Sequence, residues 1–569
     1  MVPPVGDGPV VTVIDHGLSL EDQCNAIWAA TQAQDAQEKR LRDIPDVIRL
    51  WDAEWGLQHY ITGIIKEDSY DWIDGDTGPG HFIIDTDTNA GRWILEEQER
   101  IDRGENRNVH LTVDVAGGQR LGYRMKVATQ EDREDGTSVV VAEFLSDHEE
   151  LKYYYIRSNP FLPAAVQFPR VFILPGPAIW LSSVCLFLQL FREHNPLITF
   201  PDDPGDLSQW TSPLDQSNWA IVCKPVAFLD DMAAGTIWAV VDSRWKNYHD
   251  RMKMIWQDAE ITPVLRRYLA GDPAPWPGAN LRHGALVVSF EDNSGVYSGT
   301  SHGGTLFDGL IRTFTDFADD FVESTEQLWS GATIPAEYYE PGQKRTKKQL
   351  PTCVYLAGEN SGIKQAAFAQ IPGTAINIET GGHSMPGVNE IISAGVQAAG
   401  DIIGNLLQIG SIGGSVDAIL RPLYEDTILA WMEVKLFGRA QKQGWSRYFE
   451  FFVDGSGKAY TISSVMVLRA GAWATRPYTT TRLVVRDAHP WLVGIHYWVG
   501  DRVGATRKHD KRGRIYIDRV SKVTRARSRE SWQSWAVTIG DDRALQDPAQ
   551  MIAERVEMLI DATHTLGVF

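Results

Sequence analysis

The chain has 569 residues, too many for one hydrophobic core, so several domains are expected. Hydrophobic residues make up 43%, charged residues 22%, and there are twenty tryptophans, which excludes a disordered chain. A formal net charge of −20 argues against unspecific binding to DNA or anionic lipid. The opening "MVPPVGDGPVVTVIDHG" lacks the charged and apolar parts of a secretory signal, so folding in a reducing cytoplasm is expected. Cys24, Cys185, Cys223 and Cys353 are too scattered for a disulfide framework or a metal knuckle and are expected as free, buried thiols.

In chain order, residues 1–45 read as an arm and a helix. Leu20 to Asp43 holds good helix formers without Pro or Gly, and Pro45 ends it. Residues 46–157 read as a first β-barrel of short strands: "IRLWD", "HYITGII" and "HFIID". In "NVHLTVDV" Val109, Leu111, Val113 and Val115 alternate with polar residues, the period of a half-buried strand. "TSVVVAEFLSD" is nearly all apolar and reads as covered on both faces. Residues 158–345 read as an α/β insertion, with helices in "AIWLSSVCLFLQLFREH", "DSRWKNYHDRMKMIWQDAE" and "TLFDGLIRTFTDFADDFVE", a strand in "ALVVSFED", and a basic linker "PGQKRTKKQLP" beyond. Residues 346–545 read as a second β-barrel, with a hairpin around "DGSG" and an alternating strand "SWAVTIGDD". Residues 546–569 read as a closing helix, with Asp547 and Pro548 at its start. The fold class is therefore α+β and β-rich: two barrels, an α/β insertion and the hairpin below.

Catalytic motifs are incomplete. "GGHSMPG" (residues 381–387) resembles a nucleophile elbow around Ser384, but Pro386 stands where the second glycine belongs and removes a backbone donor. "TSHGGT" reads as a Gly-Gly turn before a helix. "DGDTG" (residues 74–78) begins like a calcium loop but lacks the closing glutamate, so a surface turn is expected. There is no P-loop, GxGxxG, HExxH or CxxC pair, and no cofactor or metal is expected.

Two stretches stand out. Arg502 to Arg529 holds eleven Lys or Arg residues and two acids. Arg507, Lys508, Lys511, Arg512 and Arg514 are expected at a hairpin tip, either solvated or touching nucleic acid. Residues 388–422 read as an apolar helical hairpin. Ser393, Gln397, Asp401, Asn405 and Gln408 form a narrow polar stripe, while Ile392, Val396, Ala399, Ile403, Leu406 and Leu407 cover the other side. A turn through Ile412 leads to a second apolar helix that begins at Val416. The uncharged core, residues 402–416, is too short to span a membrane as a helix. Packing on its own domain, a subunit interface or channel plug, and membrane contact all remain open.

"IRLWDAEWGLQHYITG", "SGVYSGTSHGGTLFDGLIRTFTDFADD", "GGHSMPGVNEIISAGVQAAGD" and "RYFEFFVDGSGKAYTISSVMVLRAGAW" resemble the hub-type minor tail proteins of long-tailed phages that infect actinobacteria. The resemblance implies a homotrimeric tail-tip hub in the virion, assembled in the host cytoplasm. Each subunit would supply two tube-like barrels, so three subunits would meet a six-fold tail tube. Implied partners are the tail tube and distal tail protein, the tape-measure protein and other minor tail proteins, with transient contact to passing DNA or host membrane. Some relatives carry a cell-wall hydrolase domain. None is visible before Phe569, so a structural role is expected over a hydrolase or a receptor-binding adhesin.

Overall fold

A computed structural model describes residues 19–293 apart from single positions, residues 326–329, most of 353–381, 431–453, 468–509 and 514–540, and isolated positions elsewhere. The fold is β-rich with few helices, and fourteen of its strands share one sheet. The helix α1 (Leu20–Arg42) precedes the first arm of that sheet. The arm comprises β1 (Val47–Trp51), β2 (Leu57–Tyr60), β3 (Glu67–Ile73), β4 (Pro79–Asp85), β5 (His110–Asp114), β6 (Arg120–Asp132) and β7 (Ser138–Ser146). They pair antiparallel in the spatial order β3-β4-β7-β6-β5-β1-β2. Two short helices, α2 (Asn89–Leu95) and α3 (Glu97–Asp102), bridge β4 to β5.

Two strands depart from their expected burial. β5 is covered on both faces: Leu111 and Val113 face the main core, while His110 and Thr112 are buried beneath Trp51 and Trp55. Trp55 sits at φ 62° in the turn after β1, which lays its ring on His110 with centroids 4.7 Å apart. β7 is the half-buried strand instead, with Glu143 exposed between buried Ala142 and Phe144. Local pattern misjudged both: Trp51 and Trp55 cover the polar face that alternation in β5 left open, whereas the second face of β7 has Glu143 exposed.

The next region adds β8 (Tyr155–Ile156), β9 (Phe172–Pro177), α4 (Ala178–Glu193), β10 (Ile221–Cys223), α5 (Phe228–Ala234), β11 (Trp238–Ser243), β12 (Lys246–Asn247), α6 (Tyr248–Asp258), β13 (Ile261–Arg267) and β14 (Leu286–Asp292). α4 is the helix expected there, and it buries Leu181, Cys185, Leu186 and Leu190. α6 starts later than its pattern suggested: Trp238–Ser243 pairs with β9 as a strand, and the Asn247 side chain caps the helix by accepting from Asp250 N–H. β14 lies parallel to β10 and antiparallel to β13. Cys185, Cys223 and Cys353 are buried as expected, but Cys24 is exposed on α1.

The second arm holds β15 (Glu326–Trp329), β16 (Cys353–Tyr355), β17 (Ile363–Ile371), β18 (Asn377–Gly381), β19 (Trp431–Lys435), α7 (Phe437–Gln443), β20 (Glu450–Phe452), β21 (Tyr478–Val485), β22 (Arg502–Thr506), β23 (Arg514–Arg527) and β24 (Ser534–Ile539). β18, β19 and β20 form a separate small sheet with its own core around Ile378, Leu436, Val453 and Leu468. The others join the large sheet, in the path β17-β21-β24-β23-β3, so the arms are not separate sheets. Along this path the sheet is open, ending at β17 and β2. The expected helix in 305–323, the basic linker, the apolar hairpin 388–422, the "DGSG" turn and the closing helix lie outside the described residues.

The seam is β3 against β23, antiparallel from Lys522↔Ile73 to Arg527↔Asp68. Opposite charges line it. Arg525 grips Asp46 with two bonds of 2.8 and 3.0 Å, and each side chain is only 5% exposed. Arg527 meets Asp68 at 3.1 Å, Lys522 meets Asp71 at 2.7 Å, and Arg519 meets Asp74 at 2.6 Å. Removing one member of a buried pair strands the other. Arg525→Met is expected to lower unfolding free energy by about 3–5 kcal/mol in chemical denaturation. Arg282→Met, at the exposed Arg282–Glu54 pair, is expected to lose less than about 1 kcal/mol. Equal small losses would show that the buried pair does not hold the seam.

Candidate functional site

The basic tract divides into buried and exposed parts. Arg502 is 6% exposed and pairs with buried Glu260. Arg519 also donates to the Gly500 carbonyl and to Thr262 Oγ1, each at 3.2 Å. Arg525 and Arg527 are paired in the seam, as is Lys522, which is 29% exposed, so the described bases from Arg519 to Arg527 are held by acids of the fold and not spread over an open basic face. The tip differs. Thr506 pairs with Ile515 across β22 and β23, so residues 507–513 connect the two strands in sequence. Arg507 and Lys508 are exposed there, beside His509 at φ 65°. Arg514 begins β23, and Lys511 and Arg512 lie outside the described residues.

The small sheet flanks in sequence the stretch expected to be an apolar hairpin. It lies in sequence between β17 and β21, which pair up to Ile371↔Tyr478. Arg439, 1% exposed, fastens this base by donating to Ala375 O, Thr475 Oγ1 and Ala472 O at 2.8–3.0 Å. β18 and β19 run away from the base and pair last at Gly381↔Trp431. Gly381 and Trp431, the described residues that flank 382–430, are therefore neighbours at the far end of this sheet. Of this stretch, Ser393 and Gln397 are described as helical, and the Gln397 amide donates to Ser393 Oγ at 3.1 Å. Ile392, Val396, Ala399, Ile403, Leu406, Leu407, Ile412 and Val416 lie outside the described residues, as does Ser384. No described helix is long and apolar enough to cross a membrane.

The "DGDTG" turn is neither a calcium loop nor a surface turn. Its carboxylates are taken by cations from other regions: Asp74 by Arg519, and Asp76 by Lys253 at 2.5 Å and Lys152 at 3.1 Å. Burial alone would raise the Asp76 carboxyl, but Lys253, helped by the Thr77 amide and Lys152, holds it well below the usual carboxylate range. His249 Nε2 reaches the Gly75 carbonyl at 2.9 Å. Gly78 is pressed so close to the Asp71 carbonyl that a Cβ would lie 2.1 Å from its oxygen. Beside the turn, His148 is fully buried edge-on to Trp72, centroids 4.9 Å apart. Burial, with His249 nearby, lowers its pKa to about 3. Among the described residues no group of three or more His, Cys, Asp or Glu could hold a metal ion.

Over residues 47–541, both arms, the seam and the insertion, the chain matches the family described as Siphovirus ReqiPepy6 Gp37-like protein. Minor tail protein Gp28 of Mycobacterium phage L5 and that of Mycobacterium phage D29 are each 30% identical to it, covering 97% of this chain and 100% of theirs. The tail protein from Neisseria meningitidis MC58 covers 89% of this chain and 99% of its own, at 8% identity and a TM-score of 0.40, a likeness too loose to bear on function. The chain belongs to the Siphovirus ReqiPepy6 Gp37-like family and is a minor tail protein of actinobacterial siphophages, a component of the virion tail.

His148 makes the buried turn sensitive to acid. Its folded pKa of about 3 lies below the ordinary 6.5, so between those values the unfolded chain binds more protons. Stability contributed by the neutral ring is complete above pH 6.5 and is lost as pH falls toward 3, on the order of 5 kcal/mol in all. Denaturation of the wild type between pH 6.5 and 4.5 is expected to show a declining midpoint, and His148→Phe a flatter one. The same slope in both would remove His148 from the account.

Proposed function

We propose that this minor tail protein is the structural hub of the tail tip, in three copies around one axis, joining the tail tube to the distal tip and helping to close the tube until DNA is delivered. The single sheet carries the reading: through β3 and β23 one chain holds two β-rich arms together. In this reading residues 46–157 and 346–545 act as two tube-like units and residues 158–345 face outward. Three chains then meet a six-fold tube. The tail tube, distal tail protein, tape-measure protein and other minor tail proteins are its partners, in keeping with relatives named as minor tail proteins. The role is structural, not catalytic.

Residues 388–422 act as the closing element. Their roots at Gly381 and Trp431, at the far end of the small sheet, support this by letting the excursion reach away from the arms. The apolar faces would lie against symmetry mates or the end of the tape-measure protein, and would meet host membrane on opening. The tip at Arg507 and Lys508 meets an acidic neighbour or passing DNA, an attraction that salt screens over about 10 Å at 0.1 M.

Averaged images of the particle's tip, with this chain labelled, are expected to show three copies around one axis. Purified protein is expected to leave peptidoglycan intact. One copy, six copies, or cell-wall clearing abolished by Ser384→Ala would overturn the hub. In the same particles Leu407→Cys is expected to resist thiol reagents until DNA is released, and rapid earlier labelling would remove the closing role.

A further inference from the structure

We infer that Arg157, Arg192 and Trp245 form a surface site for the phosphate group of a small ester whose organic part carries a ring. The site sits where β8 meets β12. Ile156 pairs with Lys246, and the Trp245 N–H donates to the Ile156 carbonyl at 3.0 Å, which sets Trp245 beside Arg157. The Arg157 guanidinium then lies 4.7 Å from the centre of the indole ring. Ile156 is buried on one side of the strand, so Tyr155 and Arg157 share the other, where Tyr155 is 47% exposed. Arg192, in the last turn of α4, donates to the Tyr155 carbonyl at 3.1 Å.

Trp245 stands at φ 72°, in the left-handed region that a bulky residue enters at a cost. The fold contains a second tryptophan of this kind, and the two differ in their partners. Trp55, at φ 62°, also carries a guanidinium at 4.7 Å, that of Arg267. There the strain is offset inside the protein: Trp55 is 9% exposed, and Arg267 is held by Asp147. Trp245 is 41% exposed, and Arg157 makes no hydrogen bond or ion pair with a described residue. Its charged neighbour is instead a second cation. Burial, and then the charge of Arg157, lower the Arg192 pKa to about 10. Glu193 gives its Oε2 to the Tyr154 hydroxyl at 2.6 Å, and residues 153–159 and 243–247 contain no acid. The buried arrangement finds its anion within the chain, and the exposed one takes it from outside. Phosphate fits better than carboxylate. Its tetrahedral oxygens can reach guanidiniums on two separate elements, whereas a flat carboxylate is filled by one bidentate arginine. A ring on the ligand would lie on the exposed faces of Tyr155 and Trp245, which an inorganic ion leaves bare. The net charge of −20 disfavours a long polyanion, which limits the ligand to a small ester.

Calorimetric titration of the purified full chain with glucose-1-phosphate, adenylate and inorganic phosphate tests the site. One of the two ring esters is expected to bind at least about tenfold more tightly than inorganic phosphate, and which one does so distinguishes a sugar ring from a nucleoside. Arg157→Gln is expected to weaken that ester by at least about tenfold and to leave the unfolding midpoint unchanged. Trp245→Gly removes the ring but accepts the left-handed turn, so it is expected to lose most of the ester affinity without lowering the midpoint. If neither ester binds more tightly than inorganic phosphate, or if binding survives Arg157→Gln, the inference fails. A midpoint that falls with Trp245→Gly would make the indole a support for the turn and remove it from the site. None of these results bears on the number of copies at the tip, so the hub reading stands or falls separately.

Discussion

The buried pair between Asp46 and Arg525 is the contact on which the rest of the structure depends. It joins residues 479 apart, at the edge where β3 meets β23. Taking both charges out of water is costly, and the cost is met only when geometry is good. Here it is: two bonds to the carboxylate, with the guanidinium also 5.0 Å from the centroid of the Trp535 ring. The pairs that follow along the seam make register consequential. A slip of one residue between β3 and β23 would turn Asp68 and Asp71 away from Arg527 and Lys522.

The insertion reinforces the seam by holding both arms with one strand. At one end of β13, Arg267 binds buried Asp147 of the first arm through Nε and Nη2. At the other end Glu260 takes Arg502, and Thr262 takes Arg519, from the second arm. The approach is close enough to require glycine. A Cβ on Gly122 would lie 1.9 Å from Asp147 Oδ2, and one on Gly500, at φ 94°, would lie 2.0 Å from Thr262 Oγ1. One continuous apolar core results, with residues from Ile48 to Ile539.

Elements set by local pattern were legible in the sequence. α1, α4, β14 and β24 lie where helix length or alternation placed them, and the buried Trp535, Val537 and Ile539 fall on one face as read. The likeness to minor tail proteins was legible too. What long-range contact decides was not. His110 and Thr112 look solvated until Trp55 covers them. The bases of β23 look like a surface tract because their acids, Asp46, Asp68, Asp71 and Asp74, stand more than four hundred residues earlier. The acids of "DGDTG" looked like loop ornaments for the same reason. A single sequence offers no signal that pairs such distant charges.

The central claim is that the two arms form one cooperative sheet through β3 and β23. Native-state hydrogen exchange at the Trp72 and Val523 amides, against Val140 in the first arm and Val537 in the second, tests it most directly. The account predicts one shared opening free energy, equal to that of global unfolding. Exchange in which Val523 and Val537 open together while Val140 stays protected would contradict it, and would make the arms separate domains that only touch.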